Sequence, residues 1–199
     1  MKEQIIETSL QEFLKHGIRK MTIQKLVLAL GISTKTMYKY FGNKEELLEE
    51  CLKIHYGEAD KEVKNILEGS PNVVASVCRI YSKAIEADFG TNHLFYYDLN
   101  HYYPELQDKV IRQYSSGALE ILAGLIDQGI NEGYFLSYLK APVVLETLNI
   151  LYGSVTRSNV YKKFGLKREL VNQTINIYLR GICTGTGLEI INQLKGSSN

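Results

Sequence analysis

An all-α protein is predicted by three observations. Apolar residues recur at helical spacing in segments spread over the whole 199-residue chain. The breaks between those segments are short and carry Gly, Pro or Asn, residues that stop one helix and start the next. Gly133 to Leu139 alone has strand-like composition, and it is too isolated to build a sheet.

The first segments form a tight set. Ile23, Leu26, Val27 and Leu30 fall at i, i+3, i+4 and i+7, one helix face wide, and Thr22 stands where an N-cap belongs. Gly31 ends that helix, because glycine enters the left-handed conformation without a Cβ clash. Ser33 caps the next, short helix, which Gly42 closes. Within it Met37 and Phe41 point toward the preceding helices, while Thr34, Lys35, Tyr38 and Lys39 face away with Thr36 and Tyr40 on the flanks. Asn43 caps a third segment with Glu46 as its capping-box partner and Lys44 at the helix start.

Two helices joined by so short a turn read as a helix-turn-helix whose second helix is presented to a duplex. Its outward set supplies hydroxyls, ammonium groups and phenols, which suit phosphate oxygens and base edges. Charge agrees. Between Phe13 and Glu45 stand seven basic residues, Lys15, Arg19, Lys20, Lys25, Lys35, Lys39 and Lys44, and no acidic one, although the chain carries only +1 overall. The alternative is a plain two-helix packing unit with a solvated lysine face; charge segregation and this turn seldom coincide by chance.

Residues 1 to about 50 resemble the DNA-binding domain of the TetR (tetracycline-repressor-like) family. The resemblance runs through Phe13, Leu14 and the turn His16-Gly17, the TIQKLVLALGIS segment, and TMYKYFGNKEELL, whose aromatic ending, short turn and Asn-Lys-Glu are the most specific part. By position it implies that Thr34, Lys35 and Thr36 approach bases or adjacent phosphates, and that Thr22, Tyr38, Tyr40 and Lys44 hold the phosphate backbone. Gly42 stands where many members carry Lys, Arg or Ser, at the expense of a backbone contact.

Beyond the first domain the chain reads as further helices. One runs from Lys44 to about Leu67, and Gly69-Ser70-Pro71-Asn72 breaks it. Val73 to about Phe89 follows and ends at Gly90-Thr91-Asn92, then Asn92 to Tyr103. Pro104 opens a long segment reaching about Gly129, followed by the Asn131-Glu132-Gly133 turn. Pro142 sits in a first helical turn, where its missing N–H costs nothing, and Val143 to Ser158 and Lys167 to Cys183 complete the set. Near the C-terminus, Gly181 and Gly185 allow a close approach of two backbones, yet Thr186 to Glu189 looks like a capping box, so a helix break near Thr184 competes with a continuous helix.

The expected organisation is a three-helix helix-turn-helix DNA-binding domain over 1–46 and a helical ligand-binding and dimerisation domain over 47–199. The resemblance implies that the last two long helices pair with their symmetry mates in a homodimer, an interface in which Leu148 and Ile177 are expected. It also implies a regulator of transcription, most often a repressor, that a small-molecule effector releases from double-stranded DNA. In the second domain ten residues, Tyr81, Phe89, His93, Phe95, Tyr96, Tyr97, His101, Tyr102, Tyr103 and Tyr114, concentrate rings. Phe89, Tyr96 and Tyr103 are the candidates for effector contact, against the reading that they are core, since Phe95, Leu99, Tyr102 and Leu106 keep helical period.

Other classes are disfavoured. There is no G-x-S-x-G elbow, no H-E-x-x-H and no Walker lysine, so no enzyme and no cofactor is expected; a helical protein-interaction adaptor is the remaining alternative. Asp98 and His101 lack a third ligand at convincing spacing, and no metal is expected. Cys51, Cys78 and Cys183 are far apart and odd in number, as for buried thiols in a reducing cytoplasm, with redox sensing as the alternative. Lys2, Glu3, Gln4 and Glu7 interrupt any leader-like run, and no segment reaches the ~18 apolar residues of a membrane span.

Overall fold

A computed structural model describes residues 1–114, 116–156, 170 and 173–196. Among the described residues it contains eleven helices: α1 (Lys2–His16), α2 (Ile23–Leu30), α3 (Thr34–Tyr40), α4 (Lys44–Glu68), α5 (Val73–Phe89), α6 (His93–Tyr102), α7 (Pro104–Tyr114), α8 (Ser116–Asn131), α9 (Ala141–Thr156), α10 (Ile175–Gly181) and α11 (Gly185–Gly196). The all-α class is as expected. Residues 133–139 give a single antiparallel bridge, Phe135 to Cys183, in place of a strand.

The chain packs as two compact units, each discontinuous in sequence: Met1–Asp60 with Gly90–Ser116, and Lys61–Phe89 with Gly117–Asn199. The expected boundary at 46/47 divides the chain by role, whereas this division follows packing. The reason lies in the first unit's core. Ile5, Ile6, Leu10 and Phe13 of α1 bury against Leu26 of α2, Met37 of α3 and Leu47, Leu48, Cys51 and Leu52 of α4, and the same cluster takes in Phe95, Tyr96 and Leu99 of α6 with Leu106 and Val110 of α7. Helices α6 and α7, remote in sequence, therefore belong with the N-terminal helices, and the start of α4 is core to them rather than a link.

The second unit is built on α5, which packs against α9 and α11, while α9 also packs on α10. Its core joins Val73, Val74, Val77, Tyr81 and Ile85 of α5 to Leu122 and Ile126 of α8, Val144 and Leu148 of α9, and Ile175 and Leu179 of α10. The long segment expected after Pro104 is described as α7 and α8, with residue 115 between them outside the described residues. The helix expected over Lys167 to Cys183 is described as Ile175–Gly181; residues 167–169 and 171–172, like the end of Val143 to Ser158, lie outside the described residues.

The C-terminal helix does break near Thr184. Thr184 N–H donates to the Tyr134 carbonyl at 2.9 Å, and its hydroxyl donates to the Gly133 carbonyl at 2.7 Å while accepting from Gly187 N–H at 3.4 Å. Thr184, not Thr186, is thus the cap. The close backbone approach is also displaced: a Cβ at Gly181 or Gly185 would meet open space, whereas one at Gly187 would run into the Tyr134 carbonyl oxygen.

Candidate nucleic-acid interface

Local capping positions the exposed helix. The Thr22 hydroxyl accepts from Lys25 N–H at 3.3 Å, and Ser33 Oγ accepts from Thr36 N–H at 3.0 Å, so α2 and α3 each start on a side-chain cap. Between them Gly31 takes φ 64°, ψ 29°, and Ile32 N–H closes the turn on the Val27 carbonyl at 3.0 Å. After α3, Glu46 N–H donates to Asn43 Oδ1 at 2.9 Å, and the Glu46 carboxylate reaches back to Gly42 N–H at 2.8 Å. A Cβ on Gly42 would press against that carboxylate, which gives the glycine a local reason.

Met37 and Phe41 are buried, and this fixes the rotation of α3 about its axis. Thr34, Lys35, Tyr38 and Lys39 are consequently exposed, and Thr36 and Tyr40 are half-buried. Ser33, Lys35, Thr36, Tyr38 and Lys39 line one shallow open groove. Ser33, missed in the sequence reading beyond its capping role, adds a hydroxyl that pairs with Thr36 Oγ1 at 2.9 Å. The set offers donors and acceptors on one face, which is what groove readout requires.

Thr22 and Lys44 stand differently. Thr22 is exposed with its hydroxyl engaged as the α2 cap. Lys44 is half-buried; its ammonium donates to the Ile18 carbonyl at 2.5 Å and lies 5.7 Å from the Phe13 ring centroid. Burial pulls its pKa below the usual lysine value, opposed by the Asp98 charge and reinforced by Arg19. Lys44 therefore ties α4 to the α1–α2 connection as well as lying at the helix start.

A second feature braces this domain. The Asn92 N–H and side-chain amide donate to the carbonyls of Leu14 (2.8 Å) and Lys15 (3.0 Å), at the open C-terminal end of α1. Asp98, buried on α6, accepts from Arg19 N–H at 2.7 Å, and the Arg19 guanidinium donates to Tyr102 Oη at 2.6 Å while stacking 4.3 Å from its ring centroid. Gly17, at φ 84°, lets Leu94 come close, since a Cβ there would meet Leu94 Cβ at 2.8 Å. No local pattern announces this clasp, because its partners are some eighty positions apart.

Of the rings expected at an effector, Tyr96 is 1% exposed and packs edge-on against Phe95 in the first unit's core, where Tyr103 also sits partly buried. The Phe89 side chain lies outside the described ones. Among the described residues no group of three or more His, Cys, Asp or Glu could hold a metal. Burial raises the Cys51 thiol well beyond its ordinary range and pushes Cys183 up to about 12, which disfavours the thiolate that redox chemistry needs. No described helix is long and apolar enough to cross a membrane.

The sequence pattern of bacterial regulatory proteins of the tetR family matches residues 5–51, which span α1 to the first turns of α4. The chain is 25% identical over 133 residues to the fatty acid metabolism regulator protein of Bacillus subtilis, covering 65% of this chain and 68% of that protein. It superposes on the transcriptional regulator FadR of Bacillus subtilis, solved in complex with stearoyl-CoA, with TM-score 0.72 and 20% identity over 93% of this chain and 99% of that one. The fatty acid degradation regulator FadR of Bacillus halodurans gives TM-score 0.71 and 22% identity over 90% and 95%. At these identities the superpositions show a shared fold. The helix-turn-helix therefore matches the pattern of the tetR-family regulatory proteins over residues 5–51, and the chain as a whole shares the fold of these solved regulators.

Proposed function

We propose that the protein works as a homodimeric repressor whose two α3 helices read the half-sites of a palindromic operator, and that a small molecule binding in the second unit releases it. The observation that carries the reading is the exposed Thr34, Lys35, Tyr38 and Lys39 face on a helix capped by Ser33, in a stretch without acidic residues between Phe13 and Glu45. Thr36 and Tyr40 flank that face, and Thr22 and Lys44 are assigned to phosphates beside it. Residues 1–46 supply this reading head. A binding protein of the cytoplasm rather than a catalyst is the consistent role.

For the effector we propose a long-chain acyl thioester. The support is the shared fold with a regulator solved with stearoyl-CoA, and a second-unit core dominated by aliphatic and aromatic side chains. The packing of Tyr96 and Tyr103 in the other unit gives them a core role first, and of the three expected rings Phe89, at the end of α5, remains the candidate in the second unit. Such an effector lowers DNA affinity only if it prefers the conformer that does not bind DNA, and a coupling of about 1–3 kcal/mol changes affinity roughly 5- to 150-fold.

Selection of bound duplexes from a random pool by the purified protein tests the reading. The expected product is a palindrome whose half-site centres lie one helical turn apart or a multiple of it, about 34–36 Å per turn. Adding stearoyl-CoA is expected to release that duplex. An unenriched pool overturns the DNA reading, and an enriched site that stearoyl-CoA leaves bound overturns the acyl-thioester assignment.

A further inference from the structure

Among the described residues, the core of the second unit holds one buried side-chain polar atom without a hydrogen-bond partner. Tyr81, on α5, is 5% exposed, and its hydroxyl has no hydrogen-bond partner. Its neighbour is treated differently: the Tyr152 ring lies edge-on at 6.4 Å from that of Tyr81, and the Tyr152 hydroxyl is directed at Asp88 Oδ2 at 2.5 Å with the Ala84 carbonyl at 3.0 Å. Asp88 is itself buried. Tyr81, Ala84 and Asp88 fall at i, i+3 and i+7, so one face of α5 carries a phenol, a carbonyl and a carboxylate inside an otherwise apolar cluster.

A buried donor without a partner costs stability, and native structures carry few of them. The fold therefore keeps a donor aimed at nothing of its own.

We propose that the Tyr81 hydroxyl anchors the effector in the second unit by donating to an uncharged acceptor, the carbonyl of a thioester, ester or ketone attached to an apolar chain. The inference rests on the proposed entry of an effector into this unit and adds the group that fixes it and the charge state that is accepted. Burial raises the Tyr81 pKa above the usual phenol range, with Tyr178 adding to the effect, so the group stays protonated and available as a donor. The buried Asp88 carboxylate, one phenol away, opposes a second negative charge. A free carboxylate is thereby disfavoured where a thioester or ketone is accepted. The selectivity is large in principle, because a site built around a hydrogen bond discriminates strongly against ligands that cannot make it.

The test uses the full-length protein and its Tyr81→Phe variant, titrated calorimetrically with stearoyl-CoA below its micellar concentration, with 2-decanone and with decanoate, alongside thermal unfolding of both apoproteins. Tyr81→Phe is expected to melt at the same temperature as the parent or higher, since it loses an unsatisfied hydroxyl, and to bind both neutral probes at least about tenfold more weakly. Decanoate is expected to bind both proteins more weakly than 2-decanone binds the parent. Unchanged binding of the neutral probes by Tyr81→Phe overturns the anchor while leaving an acyl-thioester effector in place. Tyr81-dependent binding of 2-decanone without stearoyl-CoA binding supports the anchor and overturns the acyl-thioester assignment. A marked drop in melting temperature for Tyr81→Phe, a preference for decanoate, or no binding of either neutral probe overturns the anchor.

Discussion

Ile177→Glu is expected to convert the proposed dimer to monomers and to remove sequence-specific DNA binding while the N-terminal unit stays folded. Ile177 on α10 is 61% exposed and Ile150 on α9 is 62% exposed, on two helices that pack together, and Val143 lies seven residues before Ile150 on the same face of α9. Large aliphatic side chains left in solvent on neighbouring helices suit a two-fold interface in which a second copy covers them. A carboxylate placed there would be buried unpaired, which is strongly unfavourable. Without its partner the protein keeps one reading head, and the loss of the second half-site is expected to weaken operator binding by on the order of a thousandfold or more. Sedimentation velocity and fluorescence anisotropy on Ile177→Glu and Ile150→Glu check this, and a stable dimer in both variants would locate the interface elsewhere. Leu148, expected in the same interface from sequence, has 0% exposure within a single chain, so a charge there unfolds the second unit instead.

The second large effect is at Asp98. Its carboxylate is buried and accepts the Arg19 N–H at 2.7 Å, in the connection between α1 and α2. Asp98→Ala leaves that amide without its acceptor and removes a negative charge that helps hold the half-buried Lys44 ammonium. Hydrogen bonds to charged groups contribute about 1.5–3 kcal/mol, and Asp98→Ala is expected to destabilise the protein by that much in urea unfolding. Asp98→Asn, which keeps an acceptor, is expected to recover much of it. DNA affinity should fall along with stability in Asp98→Ala, since α2 and α3 take their bearing from this connection. A loss below about 0.5 kcal/mol would show that Asn92 and the core contacts of α6 position the domain without Asp98.

What the sequence disclosed is what local chemistry decides. Thr22, Ser33 and Asn43 each cap a helix within three residues, Gly31 takes the left-handed conformation its position called for, and Met37 with Phe41 sets the outward face of α3. Those interactions span one or two turns, so spacing alone reveals them. The Asn92 and Asp98 bonds to the α1 end join residues about eighty positions apart, and no periodicity encodes such a pairing. For the same reason the ring-rich α6 read as part of the effector domain, whereas its Phe95, Tyr96 and Leu99 face belongs to the core of the N-terminal unit. Composition showed an excess of tyrosines; only packing distinguishes a satisfied ring such as Tyr152 from an unsatisfied hydroxyl such as Tyr81. Helical period likewise put Leu148 and Ile177 on equal terms, although one lies in the core and the other in solvent.

The account stands on α3 docking against phosphates and base edges, and the salt dependence of operator affinity measures that directly. Lys25 and Lys44 direct their ammonium groups at the carbonyls of Lys20 and Ile18, which leaves Lys35 and Lys39 as the lysines on the outward face of α3 itself. For the selected operator, log affinity is predicted to fall linearly with log salt, with a slope of about −0.9 per neutralised phosphate. Lys35→Ala or Lys39→Ala is predicted to make that slope shallower by about 0.9 if the lysine meets a phosphate, with Lys35→Ala also relaxing preference at one or two base positions. An affinity that stays flat from low to moderate salt, or a slope untouched by both substitutions, would contradict the assignment of this face to DNA.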